Sequence, residues 1–428
     1  MFVNGMLTAR ALGDVGRGEL GVILLWPSLM AGLAGFGLPD AIAYEASRGS
    51  ERLASLRRMA LAGGLLHAAA VYAAIFLAVP FALSEKHTHL IMPARIYALF
   101  VFGNFPVLNI MGIFQGAGRF VWYNSIRLVR SFLYAASVAG LWAAGRAEAG
   151  YIAAAYVASN LVLLLLAASA CRSELGRCSD PSISLPLGRM LRYGARSHAG
   201  RAASIIGQYA DIVAGAWFLG VSEYGQYLVA RTIPAGVMLV GDAAAVAAFA
   251  AVAKDREADA GLSNACRYSR LSIIACLAVG IALAAAAPWL VPAIFGADFL
   301  PAGILCSILC LAAVPSASAM VLSAELRAIG RPGIASMAEC AGIAAMGGAA
   351  IALAPRWGGY GLAAAAIAGA TVQTASLASC LAMAAGSIRD VCLPQADDLR
   401  WAWAALTEWM KIARRGAERE TANEPPKA

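Results

Sequence analysis

Charge is scarce in this chain. Aspartate, glutamate, lysine and arginine make up 14% of its 428 residues, where a soluble domain carries about a quarter. Hydrophobic residues make up 61%, and mean hydropathy is +0.70. This balance excludes a string of soluble domains. Apolar runs of about 20 residues recur from end to end, the pattern of a multi-pass membrane protein. In lipid only helices and closed barrels satisfy the backbone. The runs are too long and too unalternating for barrel strands, so the expected fold is all-α.

Other absences narrow the function. The nine cysteines are scattered and form no C-x-x-C pair. Cys266, Cys276, Cys306, Cys310 and Cys340 fall at or within apolar helices and read as small buried residues rather than disulfide or metal partners. Of four histidines, His87 and His89 share a loop without carboxylate or cysteine company, and His67 and His198 read as packed or interfacial. No metal site and no cofactor is expected. The phosphate-cradling G-x-x-x-x-G-K-[ST] loop is missing, so the chain does not use ATP itself. No nucleophile–base constellation occurs and no large soluble segment exists, so it does not read as an enzyme. The net charge of +8 is spread over many loops, which suits anionic lipid and not nucleic acid. The opening MFVNGMLTARALG has no basic n-region and no cleavage site, so no signal peptide is expected.

Spans are expected at roughly 1–12, 20–45, 59–82, 90–115, 120–145, 149–171, 197–220, 224–253, 268–295, 299–326, 333–355 and 359–386. They form two groups: residues 1–171 and 197–386, joined by a polar linker over 172–196. Residues 387–428 read as a tail, with Leu399, Trp403, Leu406 and Met410 on one face of an interfacial amphipathic helix. Alternate loops are rich in arginine, among them those holding Arg48, Arg52, Arg57 and Arg58, or Arg327 and Arg331. The others hold little beyond Arg17, Lys86, Arg146 and Arg356. The rich set is expected to be cytoplasmic, with both termini inside.

The chain repeats itself. Leu12-Gly13, Gly18 and Pro27 recur as Leu219-Gly220, Gly225 and Pro234, all 207 residues later. Gly118-Arg119 recurs as Gly330-Arg331 at an offset of 212. Two six-helix halves of like orientation are expected, related by an axis along the membrane normal. By this register the first span is truncated, because its copy starts near Ser197. Asn4 then stands where Asp211 stands.

Ionisable side chains inside spans cost several kcal/mol and mark candidate sites. On the seventh span Arg201, Ser204, Gln208 and Asp211 recur every three or four residues and form one polar stripe. On the eighth, Tyr224, Tyr227, Arg231 and Asp242 share a face within about 60° of arc. On the fifth, Asn124, Arg127, Ser131 and Tyr134 share one, with Arg130 at its edge. Arg127 lies about 12 Å past Arg119 at 1.5 Å per residue, and Arg130 about 16 Å, too deep for easy snorkelling. Arg201 is nearer an end and could snorkel. Asp211 and Arg231 could pair with each other across the hairpin. Glu339 occupies the repeat position of Arg127. Guanidinium groups in a wet cavity suit phosphate oxygens, and a carboxylate such as Asp211 suits a coupling proton or sodium ion.

The segments RALGDVGRGELGVILLWPSLMAGLAGFGLPDAIAYEASRG, GAGRFVWYNSIRLVRSFLY and YGARSHAGRAASIIGQYADIVAGAWFLGVSEYGQYLVA resemble the polysaccharide transporter family. That family contains the O-antigen flippases and belongs to the multidrug/oligosaccharidyl-lipid/polysaccharide (MOP) flippase superfamily. The resemblance implies two pseudo-symmetric six-helix bundles around a central cavity in the bacterial inner membrane. It implies transfer of an undecaprenyl-pyrophosphate-linked oligosaccharide between leaflets, coupled to an ion gradient, with glycan polymerase machinery as a partner. The expected pyrophosphate and cavity residues are Arg127, Arg130, Arg231, Arg201, Asn124 and Gln208. The expected ion-coupling residues are Asp211, Asp242 and Glu339. Three other readings stand beside it. A multidrug or cation antiporter of the superfamily would want acidic lobes with few mid-membrane arginines. A peptidoglycan-precursor flippase would carry two further spans. A membrane glycan polymerase or ligase would need a large outer loop.

Overall fold

The computed structural model describes residues 2–49, 53–83, 85–175, 185–254 and 258–393, together with 395, 397, 398 and 400. Among them there are helices and no strands. The expected amphipathic helix around Trp403 and Met410 lies outside the described residues.

In chain order the helices are α1 (Phe2–Leu33), α2 (Leu38–Ala46), α3 (Leu53–Arg58), α4 (Gly64–Ala82), α5 (Ile91–Ala98), α6 (Phe100–Gly116), α7 (Phe120–Ala143) and α8 (Ala149–Leu175). There follow α9 (Leu187–Phe218), α10 (Val221–Ala230), α11 (Ala235–Lys254), α12 (Ala258–Phe295), α13 (Leu300–Ala328), α14 (Pro332–Ala385) and α15 (Ile388–Cys392). Seven described spans are long and apolar enough to cross a membrane, and eight if the bent pair α1–α2 counts as one. The protein is a multi-pass membrane protein. Helices α7 and α9, which bear the charged stripes, fall short of that apolar standard.

Two long helices are broken by glycine. Gly13 inside α1 has φ 66° and ψ −171°, and Gly358 inside α14 has φ 54° and ψ −133°. A side chain at either φ is strained. With these breaks the described helices make twelve legs at the places the apolar runs predict. A third break separates α1 from α2. It frees the carbonyls of Leu33 and Ala34, which accept hydrogen bonds from His198 Nε2 and His67 Nε2, both at 2.8 Å. These two histidines satisfy a broken helix.

The repeat is visible in the packing. Where α1 crosses α10, a Cβ on Gly18 would overlap the carbonyl oxygen of Val221, and one on Gly225 would overlap that of Asp14. Asp14 stands to Val221 as Gly18 stands to Gly225, so this is one contact seen from either copy. Small residues let helix backbones approach this closely in lipid. The second echo is a matching turn. Gly118 and Gly330 have φ 71° and 82°. The following amides, of Arg119 and Arg331, each bond five residues back, to Phe114 O and Leu326 O at 2.8 Å. Both are helix ends closed by a left-handed glycine.

By packing, the chain divides into two compact units. The first comprises Met1–Ile233, Ala286–Ser307 and Met346–Ala366; the second comprises Pro234–Ala285, Ile308–Ala345 and Ile367–Ala428. These units cut across the six-plus-six order of the spans. The first unit holds the opening legs, α9 and α10, and the arginine-poor ends of α12, α13 and α14. The second holds the arginine-rich ends. Its core packs leucines against small residues: Leu322, Leu326, Leu377 and Leu381 meet Cys266 and Ala319.

Candidate functional site

The site is built inside the first unit, from α1, α5, α6, α7, α8, α9 and α10. Its centre is an ion pair. Arg231 Nε lies 2.5 Å from Asp211 Oδ2, and Arg231 Nη2 donates to the Gln208 carbonyl at 2.8 Å. The Tyr227 hydroxyl donates to the same Asp211 oxygen at 3.0 Å. Asp211 is buried on α9 and Tyr227 on α10, so the pair ties the two helices together. Of the two readings left open for Asp211 and Arg231, the structure brings them together as partners.

Among the described residues, two other arginines of the site have no such partner. On α7, Arg130 is half-buried, and its enclosed Nε and Nη2 make no hydrogen bond among the described residues. On α1, Arg17 has an enclosed Nε that is likewise unbonded. The sequence pattern puts Arg17 in a loop, and the structure corrects this. Helix α1 resumes directly after the Gly13 break, and Arg17 sits one turn inside it.

Tyrosines surround these groups. Arg17 is within electrostatic reach of the Tyr134 and Tyr224 hydroxyls, and Arg130 of the Tyr156 hydroxyl. Tyr209 lies within reach of both Tyr156 and Arg231. The rings of Tyr134 and Tyr156 meet edge-on with centroids 5.1 Å apart, and those of Tyr97 and Tyr156 at 5.5 Å. Beside them opens a cavity of about 340 Å³, walled by α1, the start of α2, α5, α6, α8 and α9.

The remaining expected residues are placed elsewhere. Arg127 and Asn124 are exposed on α7, and Arg127 lies over the Tyr123 ring at 5.8 Å. The side chain of Gln208 is exposed; only its carbonyl meets Arg231. The side chain of Arg201 lies outside the described residues. Asp242 belongs to the second unit, exposed on α11. Its shared face with Tyr224, Tyr227 and Arg231 required an unbroken helix, and the chain turns between Arg231 and Pro234. Glu339 is half-buried on α14, also in the second unit.

The sequence model of the family described as "Polysaccharide biosynthesis protein" matches residues 1–251, the stretch that contains every helix of this site. The chain belongs to the polysaccharide biosynthesis protein family. A search of curated proteins finds no match. Among solved structures, the lipid II flippase MurJ in an inward closed conformation superposes with a TM-score of 0.71 at 14% identity, over 91% of this chain and 86% of that one. A multidrug resistance MATE family transporter of the MOP superfamily, inward-facing, gives 0.69 at 14% identity over 90% and 95%. A MOP superfamily transporter from Pyrococcus furiosus gives 0.54 at 16% identity over 91% of each chain. At these identities the likeness shows the fold, which is that of the MOP-superfamily transporters.

Proposed function

We propose that this protein is a flippase. It moves a polyprenyl-pyrophosphate-linked oligosaccharide from the cytoplasmic to the outer leaflet of the bacterial inner membrane, with both termini cytoplasmic. The observation that carries this reading is a pair of arginines, Arg17 and Arg130, whose enclosed guanidinium nitrogens make no hydrogen bond among the described residues. A buried charge without a partner is unfavourable by several kcal/mol, so a site that keeps two of them fits an incoming anion. A guanidinium fork matches phosphate oxygens, and such charge-assisted bonds are strong. Arg231 supplies a third positive charge, held neutral at rest by Asp211.

Coupling follows from that pair. A pyrophosphate that draws Arg231 away leaves Asp211 without its cation. Asp211 then takes up a proton or sodium ion, and releases it when the pyrophosphate leaves and Arg231 returns. Asp242 and Glu339 are the ion-site candidates of the second unit. The exposed Arg127 and Asn124 receive the headgroup before the enclosed arginines, and Arg201 stands nearer the entry side.

Of the proteins of known structure named above, one is a lipid II flippase and one a multidrug resistance transporter. A cationic drug would need a free carboxylate, and in the first unit Asp211 is already bound by Arg231 and Tyr227, which favours the anionic substrate. The test is transport in proteoliposomes with a fluorescent polyprenyl-pyrophosphate oligosaccharide. Wild-type protein is expected to move the label between leaflets and the Arg17→Ala, Arg130→Ala double variant is not. Equal transport by both would overturn the assignment.

A further inference from the structure

Helices α7 and α8 run antiparallel from the turn at Gly145 and part toward their arginine-rich ends. Near the turn they touch. The Ser137 and Ser159 hydroxyls are 3.2 Å apart, and the Tyr134 and Tyr156 rings meet edge-on. From Val129 and Leu163 onward the two helices instead flank a groove of about 450 Å³. Trp122, Ser125 and Val129 line it from one face of α7, and Leu163, Ser169 and Ser173 line it from α8. Leu128 and Leu165, on the same helices, are exposed hydrophobic residues, so the groove opens to the bilayer.

Its depth is that of one lipid leaflet. Val129 lies about 15 Å past Arg119, and Leu163 about 14 Å before Arg172, at 1.5 Å per residue. Half of a bilayer's hydrocarbon core is about 15 Å. Its wall suits an alkyl chain. Ser169 and Ser173 give their hydroxyls to the Leu166 and Ala170 carbonyls, at 2.8 and 3.0 Å. The other described lining residues are apolar, apart from Ser125. The Ser125 hydroxyl makes no hydrogen bond among the described residues. A lone donor in an apolar wall suits a lone acceptor, such as the ester carbonyl of a fatty acyl chain; a polyprenyl chain has no carbonyl to offer. The mouth is positive. Arg119 stands just before α7, and Arg172 stands on α8 between Ser169 and Ser173. Both side chains are exposed, and neither has an ion pair or hydrogen bond among the described residues. Glu174 is the carboxylate nearest to Arg172 along α8, which leaves these three groups net positive. Arginines at the end of a span reach the phosphate level, where their forks match phosphate oxygens.

We propose that this groove holds an anionic glycerophospholipid of the surrounding leaflet, bound and not transported. One acyl chain lies between α7 and α8, its ester carbonyl accepts from Ser125, and the phosphate pairs with Arg119 and Arg172. A zwitterionic headgroup brings an ammonium to the same two arginines and is the poorer match. Because α7 also carries Arg130 and α8 carries Tyr156, an occupied groove sets the spacing of two helices of the functional site. The proposal rests on the membrane location of the chain and on this groove, and it stands or falls apart from the flippase reading.

The test is native mass spectrometry of the full-length protein released from lipid nanodiscs. The probes are phosphatidylglycerol, phosphatidylethanolamine with the same acyl chains, and undecaprenyl phosphate. One phosphatidylglycerol is expected to bind about fivefold more tightly than phosphatidylethanolamine, the gain that one arginine near an anionic headgroup supplies. Arg119→Gln with Arg172→Gln is expected to erase that preference. Ser169→Phe with Ser173→Phe fills the groove from two exposed positions and is expected to remove the bound lipid. Leu165→Phe, outside the lining, is expected to keep it. Equal affinity for the two phospholipids, an unchanged preference in the arginine variant, or equal loss in the filled and control variants would overturn the site. A phosphatidylglycerol with a diazirine on its acyl chain gives a reading on the wild-type protein, whatever the variants do. Its cross-links are expected within residues 122–129 and 163–173, and cross-links confined to other helices would overturn the site. Displacement of phosphatidylglycerol by an equal amount of undecaprenyl phosphate would overturn it too, because the groove would then seat a polyprenyl tail, and the flippase reading would stand.

Discussion

Arg270 and Arg17 are the same residue in opposite circumstances. Arg270, on α12 of the second unit, is 5% exposed. It gives Asp398 two hydrogen bonds, at 2.6 and 2.7 Å, and a third bond to the Asp390 carbonyl. Arg267 adds a longer contact to Asp398, at 3.8 Å. The result pins the chain after α15 to the arginine-rich end of α12. Arg17, on α1 of the first unit, has an enclosed Nε that makes no hydrogen bond among the described residues. One guanidinium is satisfied by the protein; the other has an enclosed nitrogen with no partner among the described residues. The contrast separates an arginine that holds the fold from one to which the proposed function gives a ligand, and burial alone would not have separated them.

The largest effect that would break this contrast concerns the satisfied arginine. Arg270→Met leaves Asp398 buried and without its cation, a change that typically costs about 3–5 kcal/mol. Thermal unfolding in detergent is expected to shift down strongly, while substrate binding by the remaining folded protein stays at the wild-type level. The double variant Arg270→Met, Asp398→Leu is expected to recover most of the loss, because no unpaired charge remains. Lost substrate affinity with unchanged stability in Arg270→Met would invert the two roles.

The next effect is on Arg17. Arg17→Met removes a charge-assisted bond to the ligand, about 1.5–3 kcal/mol. That corresponds to an affinity for polyprenyl pyrophosphate roughly 10- to 100-fold weaker. Its unfolding temperature is expected to hold or rise, since the side chain removed was unpaired. A fall in stability like that of Arg270→Met would make Arg17 structural.

A smaller effect sharpens the comparison without touching either arginine. Gly225→Ala places a methyl group against the Asp14 carbonyl, so α1 and α10 must move apart. Overpacking of this kind costs about 1–3 kcal/mol. Because α1 carries Arg17 and α10 carries Tyr224, stability and ligand affinity are expected to fall together, and Gly18→Ala is expected to match it by symmetry. Wild-type affinity in both variants would show that the crossing does not position Arg17.

Much of this fold was legible in the residues. The twelve legs and the glycine-marked repeat follow from local chemistry: apolar length and left-handed glycines. Arg17 was not read as a helix residue, because glycine-bounded charge looks like a loop. The signal was nevertheless present in the repeat. Arg17 stands at the position of Tyr224, which the same register puts on a helix, and the two are neighbours in the structure. Asp242 failed for the converse reason. Its periodicity was sound, but a turn at Arg231–Pro234 interrupts the helix and divides it between units. The tyrosine-lined cavity was out of reach altogether. Its wall joins residues as distant as Ser28 and Tyr209, and no local pattern records which helices meet.

The smallest effect is of pH on the satisfied arginine's partner. The Arg270 guanidinium holds the Asp398 carboxyl below the usual carboxylate range. A carboxyl whose pKa is lower when docked than when released binds fewer protons in the docked state. Its contribution to docking is therefore complete above the released value, about 3.9 for aspartate, and is lost only as pH falls through the depressed value. Between pH 8 and pH 5 the segment after α15 is expected to stay pinned, with labelling of Cys392 by a dipyridyl disulfide, taken relative to the unfolded protein at the same pH to cancel the thiolate fraction, flat across that range. Labelling is expected to accelerate only below about pH 4. Asp398→Asn is expected to label faster than wild type at every pH and to show no acid step of its own. An acid step near pH 6 in the wild type would mean that another group, not the Arg270–Asp398 pair, holds the segment. The satisfied arginine would then owe its bonds to packing and not to charge.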